Sequence, residues 1–327
     1  MRPVTLSIIF ASAGFETARS HLRDAVAGAR IDAIDGAVLR DGGTGCDVLI
    51  PAMTRVDGAL MDRIEGLRLI HQFGSGLEGV DIEAATARGI AVANLPTAGT
   101  GNAESVAEWC VMAAIAVTRH LPACLDGIRS GGTWGQPAGR ALLGKTAGIV
   151  GLGGIGEAVA ARLGPFGMRM IGVRRTPDPA QATRLGLDWV RPMEALPALL
   201  QEADIVFLCL PVTAETREMI DRAALDRLGL QGVLINPSRG GLVDEAALAA
   251  ALSEGRIAGA GLDVFATEPL DPASPLLTMP NVVATPHIAG VTDVSYAGIS
   301  AAFAENVRRL QAGEPLRNCV NAQALGG

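Results

Sequence analysis

Short apolar runs alternate with amphipathic stretches along almost the whole chain. In the first hundred residues, Val4–Phe10, Asp47–Ile50, Leu67–Gln72 and Ile90–Ala93 read as strands. Glu16–Ala27, Asp57–Ile64 and Ile82–Ala87 read as helices between them. A long helix is expected from about Asn102 to His120, after the loop Thr97–Gly101. A second alternating series begins at Thr146. Its strands are expected at 146–151, 168–174, 204–210, 232–236, 258–264 and 282–285, with a weaker one near Trp189. Helices fall between most of them, such as Asp244–Ser253, whose start carries two acidic residues. One more long helix is expected from Val291 to Gln311.

Strand and helix in strict alternation predict an α/β fold with a doubly wound parallel sheet. A length of 327 residues suggests two domains. Two such series joined by long helices suggest two lobes with a cleft between them. The first series falls short of a full domain, and the final helix could return to complete it.

The segment Gly148-Ile-Val-Gly-Leu-Gly-Gly-Ile-Gly156 opens the second series. Thr146–Val150 reads as a buried strand, Gly151, Gly153 and Gly156 form G-x-G-x-x-G, and Glu157–Leu163 reads as the following helix. The first glycine permits a tight turn, the second lets a pyrophosphate approach the backbone, and the third lets helix and strand pack closely. The helix N-terminus then offers N–H groups and a positive dipole end to phosphates. With 41 glycines in the chain the motif alone is weak, and its strand–turn–helix setting is what points to a dinucleotide site.

The next strand decides which dinucleotide is expected. An NAD site usually places Asp or Glu at its end, on the ribose 2′-hydroxyl. Here Met168–Val173 runs into Arg174, Arg175 and Thr176, with no carboxylate before Asp178. Two guanidiniums and a hydroxyl suit a 2′-phosphate, so NADP is the expected cofactor, with NAD the alternative. Gly139-Arg-Ala-Leu-Leu-Gly144-Lys145-Thr146 also matches a P-loop literally. A P-loop needs a strand before it and a helix after it. A loop precedes this one and a strand follows, so it is set aside.

Composition narrows the classes further. Apolar content is 49% and aromatic content 3%, so Ala, Val, Leu and Ile should build the cores. Net charge is −7 with no long basic run, which argues against nucleic acid. The longest apolar run, Trp109–Val117, is too short to cross a bilayer, and no membrane partner is expected. Arg2, Val4–Phe10 and Ala11-Ser12-Ala13 imitate a minimal signal peptide, but Thr5 and Ser7 interrupt it, and a first strand is the adopted reading. Lys145 is the only lysine, which disfavours Schiff-base chemistry. Cys46, Cys110, Cys124, Cys209 and Cys319 are widely spaced without C-x-x-C, and read as reduced, partly buried thiols of a cytoplasmic protein. No metal site is expected.

Arg239, Glu268 and His287 each occur at or after the end of a late strand, where α/β sites are built. Each alone has an ordinary explanation: a turn arginine, a helix cap, a loop histidine. Together, beside a dinucleotide turn, they suit hydride transfer to a 2-keto acid. Arg is a planar, permanently charged fork for carboxylate and carbonyl. His titrates near neutrality and can protonate an alkoxide, and a neighbouring carboxylate favours its proton-donor form.

Taken jointly, the motifs resemble the D-isomer-specific 2-hydroxyacid dehydrogenase family, in particular glyoxylate/hydroxypyruvate reductase-like members. The resemblance rests on Asn102–Glu108, Leu210–Thr216, Asn236–Glu245, Gly261–Phe265 with Glu268-Pro269, and Thr285-Pro-His287. It implies His287 as acid/base, Glu268 as its partner and Arg239 on the substrate carboxylate and carbonyl. Ser75 and Gly76, in Phe73-Gly-Ser-Gly76, would offer N–H groups to that carboxylate. The cofactor would meet Gly151, Gly153, Gly154, Ile155 and Gly156, then Arg174, Arg175 and Thr176, then Leu210, Pro211 and Thr216. Asp263, His287 and Gly290 would lie on its nicotinamide side. The resemblance also implies a Rossmann domain (100–288) inserted into a split flavodoxin-like substrate domain (1–99 plus 289–327), and a homodimer joined through the cofactor domains. Gly154 stands where the family often has a longer polar residue, Trp109 replaces a common histidine in a helix of mainly structural role, and Leu77-Glu-Gly79 varies the usual substrate loop.

Glyoxylate or hydroxypyruvate reduction is the first expectation, with a larger 2-keto acid close behind. NAD-dependent oxidation of 3-phosphoglycerate is the alternative. It fits less well because the chain ends at Gly327 with no added regulatory domain and Ile50-Pro-Ala-Met-Thr54 lacks an arginine. Met53 and Phe73 suggest a small or moderately apolar substituent. Formate oxidation would need no proton relay. A different class, a dinucleotide-sensing corepressor-like module, stays open because fold alone does not fix function.

Overall fold

The computed structural model describes residues 6–132 and 134–326. The chain divides into two compact units, Met1–Asn102 with Thr292–Gly327, and Ala103–Val291. Each boundary falls a few residues downstream of the expected one. Val4 and Thr5 of the expected first strand lie outside the described residues.

The first unit contains, in chain order, β1 (Ser7–Phe10), β2 (Arg30–Ala33), β3 (Thr44–Gly45), β4 (Val48–Ile50), β5 (Ile64–Glu65), β6 (Leu69–His71) and β7 (Ala91–Ala93). Its helices are α1 (Glu16–Ala25), α2 (Gly36–Gly42), α3 (Gly58–Met61) and α4 (Ile82–Ala87). Five strands form a parallel sheet in the order β2-β1-β4-β6-β7, while β3 and β5 pair separately. The order is that of a flavodoxin-like sheet. Successive side chains of β1 point to opposite faces: Ile8 and Phe10 join Leu22, Phe303 and Val307, and Ile9 joins Leu39, Leu49 and Leu60. Both faces are covered, which is why the central strands read as continuous apolar runs. The edge strand β2 is half-exposed and was invisible in the sequence pattern. α2, bounded by Gly36 and Gly42, was missed for its weak helix propensity.

The C-terminal segment completes this unit, as the incomplete first series suggested. The helix Asp293–Ala312 buries Phe303 and Val307 in the same core. Asn306 Nδ2 donates to His71 Nε2 at 2.9 Å, and its Oδ1 accepts from Arg317 N at 2.8 Å. The tail then runs antiparallel along β7: Val320 N donates to Val92 O at 2.8 Å, and Asn321 Oδ1 accepts from Val92 N at 2.9 Å. The sheet edge is thereby paired rather than exposed.

The second unit contains β8 (Thr146–Val150), β9 (Arg169–Val173), β10 (Trp189–Arg191), β11 (Ile205–Leu208), β12 (Val233–Asn236), β13 (Gly259–Leu262) and β14 (Val282–Ala284). They form one parallel sheet in the order β10-β9-β8-β11-β12-β13-β14. Its helices are α5 (Asn102–Thr118), α6 (Leu121–Arg129), α7 (Gly154–Leu163), α8 (Pro179–Leu185), α9 (Leu196–Glu202), α10 (Arg222–Leu228) and α11 (Glu245–Ser253). The order reverses between β8 and β11, and that switch point opens a crevice at the carboxyl ends of the strands. The helix expected to reach His120 stops at Thr118. His120 turns into the left-handed region at φ 53 as the N-cap of α6, which starts at Leu121 with Pro122 in its first turn. Among the described residues no single helix is long and apolar enough to cross a membrane.

His71 is fully buried, and burial pushes its pKa down to about 4 from the usual 6.5. Its Nδ1–H donates to Gln72 O at 3.0 Å while Nε2 accepts from Asn306, so the neutral ring is the form the fold holds. Below pH 6.5 the unfolded chain takes up a proton that the folded one refuses. We predict that stability is flat above about pH 6.5 and falls by on the order of 3 kcal/mol toward pH 4 through this group. Urea unfolding at pH 7 and pH 5 should show the loss, and His71→Gln should lessen the difference.

Candidate active site

β8 delivers the chain into the glycine turn. Gly151 has φ 93, and a Cβ there would lie 2.4 Å from Cys209 O. A Cβ at Gly156 would lie 2.0 Å from Gly151 O, so helix and turn touch backbone to backbone. A Cβ at Gly153 would meet nothing within 4 Å. That open approach, beside the first turn of α7, fits a dinucleotide pyrophosphate. α7 begins at Gly154, with Gly153 as its N-cap, rather than at the expected Glu157. Gly154, Ile155 and Gly156 therefore bring helix N-terminal N–H groups to the turn, and Gly154 adds no side chain of its own. The P-loop match fails on geometry: Thr146 opens β8, and Lys145 Nζ sits 3.6 Å from Asp204 Oδ1.

At the end of β9, Arg174 is half-buried while Arg175 and Thr176 are exposed. Arg174 Nη1 donates to the Gln181 side-chain oxygen. Gln181 is buried and its Nε2 donates to Leu152 O at 2.9 Å, inside the glycine turn, and to Glu157 Oε1 at 2.5 Å. The ribose end of the expected cofactor site is thus tied to its phosphate end. Sequence reasoning missed Gln181 because nothing marks a lone Gln in a short helix. The Leu210–Thr216 loop follows β11. Thr216 Oγ1 donates to Pro211 O at 2.9 Å and accepts from Thr213 N at 2.7 Å, and Leu210 is half-buried. The Thr213 hydroxyl first, then its own backbone N–H, with the Arg175 charge as the least cause, hold the Glu215 carboxyl low.

Arg239 follows β12. Asn236 Nδ2 holds its carbonyl at 2.9 Å, and Ser238 Oγ donates to Leu208 O at 2.7 Å. A Cβ at Gly240 would lie 1.9 Å from the Phe265 carbonyl carbon, so only glycine lets this loop meet the one after β13. Glu268 lies in that second loop, its Oε1 accepting from Phe265 N at 2.9 Å. Its Oε2 meets His287 Nδ1 at 2.7 Å. Burial pushes the Glu268 carboxyl up, but the His287 hydrogen bond and charge, the Phe265 N–H and the Arg239 charge outweigh it, and the net direction is down. Glu268 is therefore ionised at neutral pH. With Nδ1 engaged, Nε2 is the nitrogen left to exchange a proton with a bound molecule, and the His287 side chain is 42% exposed.

Asp263, expected beside the nicotinamide, is 1% exposed. Burial raises its pKa, opposed by hydrogen bonds from Thr285, Ala289 and Ile288. Gly290, half-buried, follows this loop. Ser75 and Gly76 belong to the first unit, just past the carboxyl end of β6. Gly74 has φ 157, Gly74 O accepts from Leu95 N at 2.8 Å, and Ser75 O accepts from Asn94 Nδ2 at 2.7 Å.

One sheet edge therefore carries a dinucleotide turn, an arginine and an ionised Glu268 hydrogen-bonded to His287. A family model described as D-isomer specific 2-hydroxyacid dehydrogenase, NAD binding domain, matches residues 111–289. The chain belongs to that family. The matched region is its NAD(P)-binding domain. A D-3-phosphoglycerate dehydrogenase of Mycobacterium bovis is 39% identical over 276 residues, 84% of this chain but 51% of that protein. The chain thus spans about half the length of that relative. A glyoxylate reductase of Korarchaeum cryptofilum is 37% identical, over 86% of this chain and 84% of its own. The structure of an NADPH-dependent glyoxylate/hydroxypyruvate reductase from Sinorhizobium meliloti, in complex with NADP and malonate, matches with a TM-score of 0.78 at 32% identity. That match covers 98% of this chain and 97% of that one.

The glycine geometry separates folding from binding. We predict that Gly156→Ala, which drives a methyl into a backbone carbonyl, destabilises the protein by roughly 3 kcal/mol or more. Gly153→Ala should leave the melting temperature near wild type and weaken NAD(P)H binding roughly tenfold or more. Thermal unfolding and nicotinamide fluorescence titration of both variants would show the contrast.

Proposed function

We propose that this 2-hydroxyacid dehydrogenase family member reduces a small 2-keto acid to the D-2-hydroxy acid with NADPH, glyoxylate and hydroxypyruvate being the first candidates. The observation that carries it is the 2.7 Å His287–Glu268 pair at the same sheet edge as Arg239 and the glycine turn. A nicotinamide held at the glycine turn of Gly151, Gly153 and Gly156 would supply the hydride for the carbonyl carbon. His287 gives its Nε2 proton to the carbonyl oxygen, completing the alcohol. Glu268, held ionised, steadies the imidazolium before transfer and keeps the ring oriented through Nδ1. Arg239 binds carboxylate and carbonyl and draws charge toward the oxygen. Ser75 and Gly76 are carried forward as further carboxylate donors. The choice of NADP is supported by Arg174, Arg175 and Thr176, with no carboxylate at the strand end.

The test is a panel of 2-keto acids, and of 2-hydroxy acids including 3-phosphoglycerate, with both nicotinamide cofactors, followed at the nicotinamide band. The expected result is 2-keto acid turnover with NADPH preferred. His287→Ala should lower kcat by roughly 10²–10⁴ with cofactor binding kept, and Arg174→Asp should move preference toward NADH. Absent turnover in wild type, or full activity in His287→Ala, would sink the reading.

We also propose a homodimer joined through the second unit. No residue of α6 is buried, and Leu121, Leu125 and Ile128 recur at helical spacing on it. Trp134, in the loop beyond, is 92% exposed. An uncovered apolar surface of this kind calls for a partner. Sedimentation equilibrium should give twice the 33.6 kDa chain mass for wild type, and Ile128→Glu with Trp134→Glu should shift it toward one chain.

A further inference from the structure

His287 stands on a backbone that does not favour it. Its φ is 55, in the left-handed region where a side chain costs energy unless the surroundings hold it. Asp263 does the holding. Its backbone carbonyl accepts from His287 N at 2.8 Å, its Oδ1 from Ile288 N at 2.8 Å, and its Oδ2 from Ala289 N at 2.7 Å. Oδ1 also accepts the Thr285 hydroxyl at 2.6 Å. One buried carboxylate thus reaches the chain on both sides of the histidine.

The network has one more member. Trp109, on α5 and 7% exposed, donates its indole Nε1–H to Thr285 Oγ1 at 3.0 Å. An indole can only donate, and a carboxylate can only accept. The hydroxyl between them has one proton, so its direction is set: Trp109 gives to Thr285, and Thr285 gives to Asp263. Donation into a hydroxyl oxygen strengthens the bond that the hydroxyl makes in turn. We propose that Trp109 is a positioning residue for His287, acting through Thr285 and Asp263 to keep the loop in the conformation where the imidazole meets Glu268. Trp109 also packs in the core around α5, where its buried indole N–H takes Thr285 as its acceptor. The inference rests on the reductase reading above.

The test uses the whole protein and four forms: wild type, Trp109→Phe, Thr285→Val and the double variant. Phe keeps the ring and removes the donor. The expected result is kcat lowered roughly tenfold in Trp109→Phe, with KM and the NADPH Kd within about twofold of wild type. Because both residues act on one chain of hydrogen bonds, the double variant should be no worse than Thr285→Val alone. Wild-type kcat in Trp109→Phe, or effects that multiply in the double variant, would overturn the proposal. Indole proton resonances of wild type and Thr285→Val supply a second readout if Trp109→Phe does not fold. The Trp109 N–H signal should move upfield when its acceptor is lost, and an unmoved signal would overturn the proposal without any turnover being measured. Wild type lacking all 2-keto acid turnover would instead sink the reductase reading.

Discussion

A parallel sheet covered by helices on both faces leaves chemistry only one place to go. The central strands of the second unit, β8, β11, β12 and β13, are buried along their length, so their polar neighbours can reach a ligand only where strands end. All strands run the same way, and their carboxyl ends lie on one edge. The glycine turn after β8, the Leu210–Thr216 loop after β11, Arg239 after β12, Asp263 and Glu268 after β13 and His287 after β14 collect there for that reason. Residues more than a hundred positions apart become neighbours without any one of them specifying it.

Loops that leave such an edge carry backbone groups that must be satisfied. Here the same groups that satisfy them also set the site. Asp263 is a carboxylate taken almost wholly out of water, which is costly without donors. Thr285, Ile288 and Ala289 supply them, and in doing so fix the turn that presents His287. Gly240 permits the Arg239 loop to touch the Glu268 loop. Gln181 binds Arg174 to the glycine turn. In each case a buried polar or glycine position with no chemistry of its own determines where a chemical one stands.

The first unit meets a different constraint. Its N-terminal hundred residues build a five-stranded sheet but leave one face and one edge unfinished. The helix Asp293–Ala312 covers the face with Phe303 and Val307, and the tail around Val320 and Asn321 pairs the edge. Asn306 links the returning helix to the neutral ring of His71 in the interior. A domain inserted between the two segments leaves this closure intact, because the ends of the insertion need only leave and rejoin the same unit.

Periodicity alone was enough for the α/β class and for most central strands, because strands buried on both faces are apolar throughout. The glycine turn, the missing carboxylate after β9 and the Arg239, Glu268 and His287 positions were legible too, since each depends on residue type at a strand end. The pattern did not reveal β2, α2 or the break at His120, where exposure at an edge or a single left-handed residue overrides local propensity. Nor did it reveal Gln181, or Trp109 as a hydrogen-bond donor. A buried glutamine or an indole N–H has a role only through the partner brought to it, and that partner lies 29 residues away for Leu152 and 176 for Thr285. The sequence by itself determined which groups this protein has available. Tertiary structure decided which of them are held, because hydrogen bonds are short and directional while the chain between their partners is long.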